Sequence, residues 1–412
     1  MDADIIIIGG GPAGLFTAIQ CKLIKKNRFK IMILEKNSTA GKKLLMTGAG
    51  QCNLTQTGDI KNFLTHYGEN KNFIRTSLYQ FNNNDLTKFF KKRGLNFITT
   101  DQGKIFPRSY KAQDILNTLL NECKETGVHI ITNEAVLNVK STKENSFNIE
   151  TKQNEYSCRF LVIATGGQSY PSSGSSGDGY QFASFLGHSI IKPLPALTPL
   201  HIKNYCFSEL AGIALSNLNL SLWRQNKLIK RWSGDLLFTH NGLSGPAILN
   251  FSRYIQRTDI IKLHLINVKN ESILTNILIQ KINQNGKLLL KNILKDFSLP
   301  QRLINKIMEL ANIPEDKKAA HLNKDKRNQL VKKLAGLPLK VERLGDFNIA
   351  MVTSGGIDLN EINKKTMESR LIPNLYTVGE VLDIDGDTGG YNLQAAFSTA
   401  FLAANSIIKN TK

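Results

Sequence analysis

Residues 4–35, DIIIIGGGPAGLFTAIQCKLIKKNRFKIMILE, decide the fold of this chain. Asp4–Ile8 is a short apolar run that leads into a glycine-rich turn. Leu15–Ile24 then has the apolar spacing of a helix, and Lys30–Leu34 is a second apolar run that ends at an acidic residue. This order of elements predicts a βαβ unit and therefore an α/β fold.

The glycine turn contains the spacing GxGxxG at Gly9, Gly11 and Gly14, directly between the predicted strand and helix. In this setting the first glycine allows a tight turn, the second lets the backbone approach a pyrophosphate, and the third lets helix and strand pack closely. The helix N-terminus adds unpaired N–H groups and partial positive charge. Glu35, 21 residues after Gly14, can accept hydrogen bonds from ribose hydroxyls, although a solvated strand end is the alternative. The pattern predicts a dinucleotide site without a 2′-phosphate at that ribose.

Two further segments favour FAD over NAD as the dinucleotide. Ala164–Gly167 ends another predicted strand with small residues that can pass close to a ligand. Near the end of the chain, Gly379–Val381 follows a strand and Gly389–Gln394 opens a helix. A cofactor held by the first and last segments of the chain is long, and a second helix N-terminus near Asn392 can stabilise negative charge on a reduced flavin.

Length and composition exclude several classes of protein. A chain of 412 residues suggests two or three domains, since a domain usually has about 100–200 residues. Hydrophobic residues at 41% and charged residues at 21% exclude wholesale disorder. We expect no membrane span and no signal peptide, because no apolar run approaches roughly 20 residues and the start of the chain is not basic. Five widely spaced cysteines without a CxxC pair argue against a disulfide scaffold or a zinc site and favour a cytoplasmic protein.

The net charge of +20 is concentrated in the middle of the chain. Residues 191–344 carry 25 Lys and Arg against 10 Asp and Glu, a net charge of +15. Residues 1–190 carry 23 against 15, or +8, and residues 345–412 carry 5 against 8, or −3. A positive field attracts polyanions such as nucleic acid, anionic lipid or phosphorylated substrates. The alternative is the well-solvated surface of a lysine-rich protein.

Composition also divides the chain near residue 190. Lys192–Pro199 holds three prolines, which is typical of a boundary between domains. Residues 197–268 alternate in strand-like pieces, and residues 272–334 show helical periods rich in Leu, Ile and Lys. Strands and glycine turns return after Pro338.

Short motifs are spread along the whole chain: Gly9–Gly14, Gly41–Leu45, Gly48–Asn53, Phe106–Pro107, Ala164–Gly167, Gly177–Tyr180, Phe238–Pro246, Thr353–Gly356 and Gly379–Gln394. In combination they resemble the BaiN/RdsA family of NAD(P)/FAD-dependent oxidoreductases, the YhiN-like flavoproteins. One residue departs from the family pattern, because Gln51 stands where the family usually has Arg before the pair Cys52 and Asn53.

The resemblance implies a glutathione-reductase-like Rossmann FAD domain made of residues 1–190 and 345–412. It also implies an inserted β-rich, barrel-like domain (191–270 and 335–344) and a small helical subdomain (271–334). Non-covalent FAD is expected at Gly9, Gly11, Pro12, Ala13, Gly14, Glu35, Lys36, Lys43, Cys52, Asn53, Val136, Ala164, Thr165, Gly166, Gly379, Glu380, Asn392, Leu393 and Gln394. The middle of the chain has no second GxGxxG in a βαβ frame, so NAD(P)H is expected as a transient donor.

The flavin carries the redox step by hydride transfer through N5, so the protein needs to add only a proton donor or acceptor. Cys52, beside the expected flavin, is one candidate, and a small buried packing residue is the alternative. His240 lies in a turn of the insertion and either faces the flavin or orders its own loop. Tyr391 either donates a hydrogen bond or stacks. Lys42 and Lys43 either contact the pyrophosphate or form a solvated pair, and no metal is expected.

Members of the resembled family are linked to unsaturated bile-acid intermediates, to aminoacetone and to uridine in ribosomal RNA. The +15 charge of residues 191–344 favours RNA, because each phosphate contact adds salt-dependent affinity. Lys324, Lys326 and Arg327 are the expected RNA contacts, in a basic stretch without interleaved aromatic residues.

The leading prediction is therefore NAD(P)H-dependent reduction of a C=C bond, with uridine in ribosomal RNA or in a ribosome-assembly intermediate as the substrate and dihydrouridine as the product. One alternative is an FAD-dependent oxidase or dehydrogenase of a small metabolite. The other is a non-catalytic, flavin-containing RNA-binding factor.

Overall fold

A computed structural model of the protein describes residues 2–24 and 29–410. These residues form two compact units. Unit 1 comprises the described residues up to Ala196 and from Phe347 onward, and unit 2 is the intervening Leu197–Asp346. Each unit has a buried apolar core of its own. The chain therefore leaves unit 1 once and returns to it once.

The strands are given in chain order: β1 (Ala3–Ile8), β2 (Ile31–Leu34), β3 (Thr55–Gln56), β4 (Phe97–Thr99), β5 (Lys104–Pro107), β6 (His129–Ile131), β7 (Val136–Ser141), β8 (Phe147–Thr151), β9 (Glu155–Ile163), β10 (Ile190–Ala196), β11 (Leu200–Ile202), β12 (Ala214–Arg224), β13 (Lys227–Phe238), β14 (Gly242–Ser244), β15 (Ile260–His264), β16 (Leu337–Leu344), β17 (Val352–Ile357) and β18 (Leu375–Thr377).

The α-helices follow in the same order: α1 (Pro12–Ile24), α2 (Lys42–Met46), α3 (Ile60–Phe63), α4 (Lys71–Gln80), α5 (Asn83–Lys91), α6 (Ala112–Glu125), α7 (Asp178–Phe185), α8 (Pro246–Leu249), α9 (Glu271–Asn285), α10 (Leu290–Leu294), α11 (Gln301–Leu310), α12 (Lys324–Gly336) and α13 (Tyr391–Lys409). Within the described ranges, none of these helices is long and apolar enough to cross a membrane.

A mixed sheet with the spatial order β6-β2-β1-β9-β8-β7 forms the centre of unit 1. Strand β1 pairs in parallel with β2, where Ile5 lies opposite Ile31, and with β9, where Ile5 lies opposite Phe160. The late strand β18 also pairs in parallel with β9, with Leu375 opposite Leu161. The first and last segments of the chain therefore share one sheet.

Helix α1 packs along this sheet and against α13. It contacts β1 and β2, and Phe16 of α1 meets Phe397 of α13 edge to face with ring centroids 5.1 Å apart. Strand β1, α1 and β2 form the βαβ unit that the opening stretch of sequence predicts. The predicted α/β class with a Rossmann-type βαβ unit is confirmed.

Strand β10 moves the limit of unit 1 beyond the position suggested by composition. It pairs antiparallel with β17 of unit 1, for example with Pro195 opposite Thr353. Residues 191–196 therefore belong to unit 1, whereas the sequence analysis assigned them to the inserted domain. Prolines do not exclude a strand here, because a two-stranded sheet consists of edges, on which a missing N–H costs little.

Unit 2 is a closed barrel with the strand order β11-β14-β13-β12-β15-β16. Helices α9 to α12 lie between β15 and β16 in the chain. Strands β11 and β16 pair where the chain enters and leaves the unit, with Leu200 opposite Leu344. The fold-class prediction of a barrel-like insertion with a helical part is confirmed.

Candidate functional site

A cavity in unit 1 brings together segments that are far apart in the chain. Its wall includes the turn between β1 and α1, the end of β2, helix α2, the end of β9 and the start of α13. The cofactor-binding candidates that line it are Gly9, Gly11, Pro12, Ala13, Glu35, Lys36, Lys43, Val136, Ala164, Thr165, Gly166, Gly379, Glu380, Asn392 and Leu393. Lys42 also lines this cavity.

The other four cofactor-binding candidates lie outside the lining of this cavity: Gly14, Cys52, Asn53 and Gln394. Gln394 is fully buried, and its side-chain N–H group donates to the Phe81 carbonyl over 3.1 Å. Its Oε1 accepts from Thr55 Oγ1 over 2.7 Å. The geometry gives Gln394 a role in packing α13. The Oδ1 atom of Asn53 is buried and finds no hydrogen-bond partner among the described residues.

The three glycines of the GxGxxG turn have different surroundings. A Cβ on Gly14 would lie 2.0 Å from the carbonyl oxygen of Gly9, so this glycine is required for α1 to approach β1. A Cβ on Gly11 would meet nothing within 4 Å, although Gly11 lines the cavity. Side-chain volume at Gly11 would therefore occupy cavity space, which is the arrangement expected where a backbone approaches a phosphate. The N-terminus of α1 adds a partial positive charge at the same place.

Glu35 is held in one orientation at the end of β2. Its Oε2 accepts from the Gly10 N–H over 2.8 Å, and its Oε1 accepts from the backbone and side-chain N–H groups of Asn37 over 2.8 and 2.7 Å. The residue is 7% exposed and lines the cavity. A carboxylate offers about four lone-pair sites, so roughly one remains on Oε2 for a ligand hydroxyl. The arrangement fits a ribose.

Lys36 and Lys43 do not offer free charges to a pyrophosphate. Lys36 donates to Asp178 over 2.6 Å, and Lys43 donates to Glu380 over 2.6 Å. Lys43 also donates to Ser169 Oγ over 2.6 Å. Both of these ammonium groups are paired with carboxylates, whereas Lys42 donates to Asn37 Oδ1 over 3.3 Å, so the groups left for an anion at this cavity are Lys42 and the backbone N–H groups of the β1–α1 turn. These ion pairs join segments separated by more than a hundred residues, and local sequence patterns carry no signal for them.

The catalytic candidates occupy three different environments. Cys52 is fully buried outside the cavity lining, and burial raises the pKa of its thiol to about 12. His240 is exposed in the turn between β13 and β14 of unit 2. Tyr391 is the first residue of α13, next to Asn392 of the cavity wall, and burial followed by the Asp387 charge raises the pKa of its phenol to about 12.

Two residues around Tyr391 escaped the sequence analysis. The ring of His66 stacks on the Tyr391 ring with centroids 4.1 Å apart, and His66 Nδ1 lies 3.0 Å from Asp387 Oδ2. The Tyr67 hydroxyl donates to the Tyr391 carbonyl over 2.8 Å. His66 and Asp387 are 321 residues apart, and although Asp387 lies within the Gly379–Gln394 motif, His66 stands in none of the motifs, so no local pattern pairs them.

The three predicted RNA contacts lie in the first turn of α12 in unit 2. Lys324 is exposed, and Lys326 and Arg327 are half-buried. Asn323 caps this helix by accepting from the Lys326 N–H over 2.9 Å. Cations at a helix N-terminus oppose the helix dipole, so these side chains do not stabilise the helix on which they lie.

Comparison with known proteins identifies relatives over nearly the whole length. The profile of a family described as HI0933-like protein Rossmann domain matches residues 3–406. The ribosomal RNA dihydrouridine synthase of Escherichia coli K12 is 32% identical over 413 residues, which cover 98% of each chain. The 3-dehydro-bile acid delta(4,6)-reductase of Clostridium scindens is 29% identical over 406 residues, which cover 97% of this chain and 98% of the relative.

Solved structures of flavoenzymes share the fold. Escherichia coli quinol fumarate reductase aligns with a TM-score of 0.50 and 14% identity over 99% of this chain and 70% of that chain. The 3-ketosteroid-delta4-(5alpha)-dehydrogenase of Rhodococcus jostii aligns with a TM-score of 0.50 and 13% identity over 98% of this chain and 96% of that chain. At these identities the likeness concerns the fold alone.

Proposed function

The chain belongs to the HI0933-like Rossmann family and is an FAD-dependent oxidoreductase, and from this premise we propose that it reduces uridine in ribosomal RNA to dihydrouridine. The observation that carries the proposal is the 32% identity, along 98% of both chains, to a ribosomal RNA dihydrouridine synthase. The charge of unit 2 supports it, because Leu197–Asp346 contains 24 Lys and Arg against 11 Asp and Glu, a net +13. A non-catalytic RNA-binding factor, one of the two alternatives, is wrong because the family is one of enzymes.

The residues of the cavity in unit 1 suit FAD. The backbone of the β1–α1 turn would hold the pyrophosphate, with Gly11 leaving room for it. Glu35 would accept from a ribose hydroxyl, and the N-terminus of α13 at Asn392 would favour negative charge on the ring system. When bound, FAD supplies hydride transfer, and the chain binds, orients and shields the reactants.

We further propose that NAD(P)H is the donor and visits the site only transiently. The chain contains one GxGxxG turn in a βαβ frame, and that turn belongs to the cavity already assigned to FAD, so a nicotinamide donor would have no dinucleotide turn of its own and would bind only transiently. Mixing the purified protein with NADH or NADPH under anaerobic conditions should bleach the yellow colour. A protein that stays yellow with both would exclude a nicotinamide donor.

Reduction of a C=C bond also needs a proton, and we propose Tyr391 as the residue that holds it. Neither Tyr391 nor Cys52 lines the cavity and both are buried, but Tyr391 directly precedes Asn392 of the cavity wall and carries an O–H group that is a stronger hydrogen-bond donor than a thiol. A tyrosine phenol is protonated at neutral pH even at its ordinary pKa of about 10, so Tyr391 carries the proton that this step requires. Tyr391→Phe should slow product formation while leaving FAD content unchanged. A variant that turns over like the wild type would exclude this role.

Nucleoside analysis by mass spectrometry tests the substrate. Deletion of the gene should lower the dihydrouridine content of ribosomal RNA, and a plasmid copy should restore it. The product belongs to ribosomes, so this proposal places the enzyme in the cytoplasm. An unchanged dihydrouridine content would contradict the proposal.

The second candidate is reduction of a small unsaturated molecule, which the 29% identity to the bile-acid reductase supports. Turnover of an unsaturated steroid acid without any change in RNA would favour it.

A further inference from the structure

Four neighbouring strands of the unit 2 barrel, in the order β13-β12-β15-β16, present an outer face opposite the core. Their inward-facing side chains include Leu220, Leu222, Ile261, Leu263 and Leu339, all buried in the core. Side chains alternate along a strand, so the residues between these positions face outward. Ser221, Trp223 and Lys262 are three of them.

Strand pairing places cations on both strands that flank the Ser221–Trp223 segment of β12, although the direct partner of Trp223 on β13 is Leu228. Ser221 pairs with Arg231 on one side and with Lys262 on the other, and directly paired residues share a face. Trp223 pairs with Ile260, which in turn pairs with Lys340. Neighbouring strands are about 4.8 Å apart, so cations two strands apart are separated by about 10 Å. We call the set Trp223, Arg231, Lys262 and Lys340 the cationic face.

The indole of Trp223 is held in place by a chain of hydrogen bonds. Its Nε1 donates to Ser221 Oγ over 2.9 Å, and Ser221 Oγ lies 2.9 Å from His264 Nε2. His264 Nδ1 lies 2.6 Å from the carbonyl oxygen of Ala335, which can only accept. His264 therefore carries its proton on Nδ1, and Ser221 donates to Nε2. The chain orients an aromatic ring on the outside of the barrel, and the Lys262 ammonium lies 4.2 Å from the ring centroid.

Negative charge is sparse on these four strands. Their only acidic residues are Asp235 and Glu342, and Glu342 is exposed two positions from Lys340 on the outer side of β16. Asp235 accepts a hydrogen bond from the Asn217 N–H over 3.0 Å at the opposite end of the β12–β13 pair from Trp223. The face still carries three cations against one neighbouring carboxylate, and an oriented aromatic ring beside an excess of cations suits a ligand with flat bases and phosphates.

We propose that the cationic face binds a single-stranded segment of RNA, with one unstacked base on Trp223 and phosphates at Arg231, Lys262 and Lys340. This inference rests on the proposed function. Trp223 and Lys262 are both half-buried, and a base that stacks on the ring would displace the Lys262 ammonium toward a phosphate. The location differs from the first turn of α12, where the sequence analysis expected RNA.

The salt dependence of RNA binding tests whether the cations of the cationic face contact phosphates. The full-length, FAD-loaded protein is titrated into fluorescently labelled single-stranded fragments of ribosomal RNA at several salt concentrations. The variant Arg231→Gln/Lys262→Gln/Lys340→Gln should bind at least about 10-fold more weakly at low salt. Its plot of log affinity against log salt should be flatter by about 2, because each lost phosphate contact removes roughly 0.7 from the slope.

A matched control has the same change in charge elsewhere in unit 2. Lys269, Lys287 and Lys295 are exposed and lie outside the four strands. The variant Lys269→Gln/Lys287→Gln/Lys295→Gln should change affinity less than about twofold and leave the slope unaltered, because contacts with phosphates set the slope. Equal losses in both variants would overturn the proposal. The proposal would also be overturned if RNA affinity were lost only in the variant Lys324→Gln/Lys326→Gln/Arg327→Gln of the first turn of α12.

Substitutions at Trp223 test base stacking separately from the contribution of charge. Trp223→Leu should weaken RNA binding about 10-fold, and Trp223→Phe should weaken it less because a ring remains. FAD content and melting temperature show whether these variants fold. A second measurement needs no change at Trp223: in Trp232→Phe protein the remaining indole fluorescence should be quenched when RNA binds. Unchanged fluorescence at saturating RNA would overturn the stacking.

Two comparisons separate this inference from the proposed function. If the protein binds RNA through the cationic face but deletion of the gene leaves dihydrouridine unchanged, the proposed function is wrong and the proposed RNA-binding surface is retained. If the protein forms dihydrouridine but the variant Arg231→Gln/Lys262→Gln/Lys340→Gln binds RNA like the control variant, the proposed surface is wrong and the proposed function is retained. Binding of the wild type to vesicles of anionic phospholipid, without binding to RNA, would overturn the proposal in favour of a membrane.

Discussion

At the scale of single residues, Glu35 makes the sharpest prediction. Its carboxylate already accepts three N–H groups, and its remaining capacity faces the cavity. Glu35→Gln should weaken FAD binding by roughly 1.5–3 kcal/mol, because an amide cannot accept at both ends and the charged hydrogen bonds are lost. Equilibrium dialysis of the apoprotein against FAD measures this. The control Glu155→Gln removes the same negative charge at an exposed residue at the start of β9 and should not change the affinity for FAD. Equal affinity in both variants would remove Glu35 from the site.

At the scale of elements, the β1–α1 turn separates a packing requirement from a binding requirement. Gly14→Ala places a methyl group 2.0 Å from the Gly9 carbonyl, so it should destabilise the protein by roughly 3 kcal/mol, with or without FAD. Gly11→Ala meets nothing within 4 Å, so the melting temperature of the apoprotein should stay unchanged while FAD occupancy falls. Calorimetry on the apoproteins and absorbance of the loaded proteins check both expectations. If Gly11→Ala retained full FAD, the pyrophosphate would have to lie elsewhere.

At the scale of the whole molecule, unit 2 has the features of an insertion that can fold alone. It has its own core, and its first and last strands pair with Leu200 opposite Leu344. The Gly345 N–H also donates to the Pro199 carbonyl over 2.9 Å, so the two ends of the unit meet. A fragment of residues 197–346 should therefore melt cooperatively and be colourless, whereas the full chain should be yellow with one FAD. A fragment without a cooperative transition in circular dichroism would show that unit 2 depends on the rest of the chain.

The sequence by itself determined the βαβ unit and the kind of ligand it accepts. Apolar runs, glycine spacing and the acid at Glu35 are local patterns, and each follows from backbone geometry within about 30 residues. Composition also indicated a boundary near residue 190 and strand-like pieces in 197–268, and the resemblance to a known family implied that this region is a barrel-like insertion.

Only the tertiary structure decided which polar groups meet. It pairs Lys43 with Glu380, 337 residues away, and removes Lys43 as a free partner for phosphate. It buries Cys52 outside the cavity lining, adds residues 191–196 to unit 1, and sets Trp223 near cations from three other strands. Burial and the register between strands depend on contacts between distant parts of the chain, and a local pattern of residues contains no information on them.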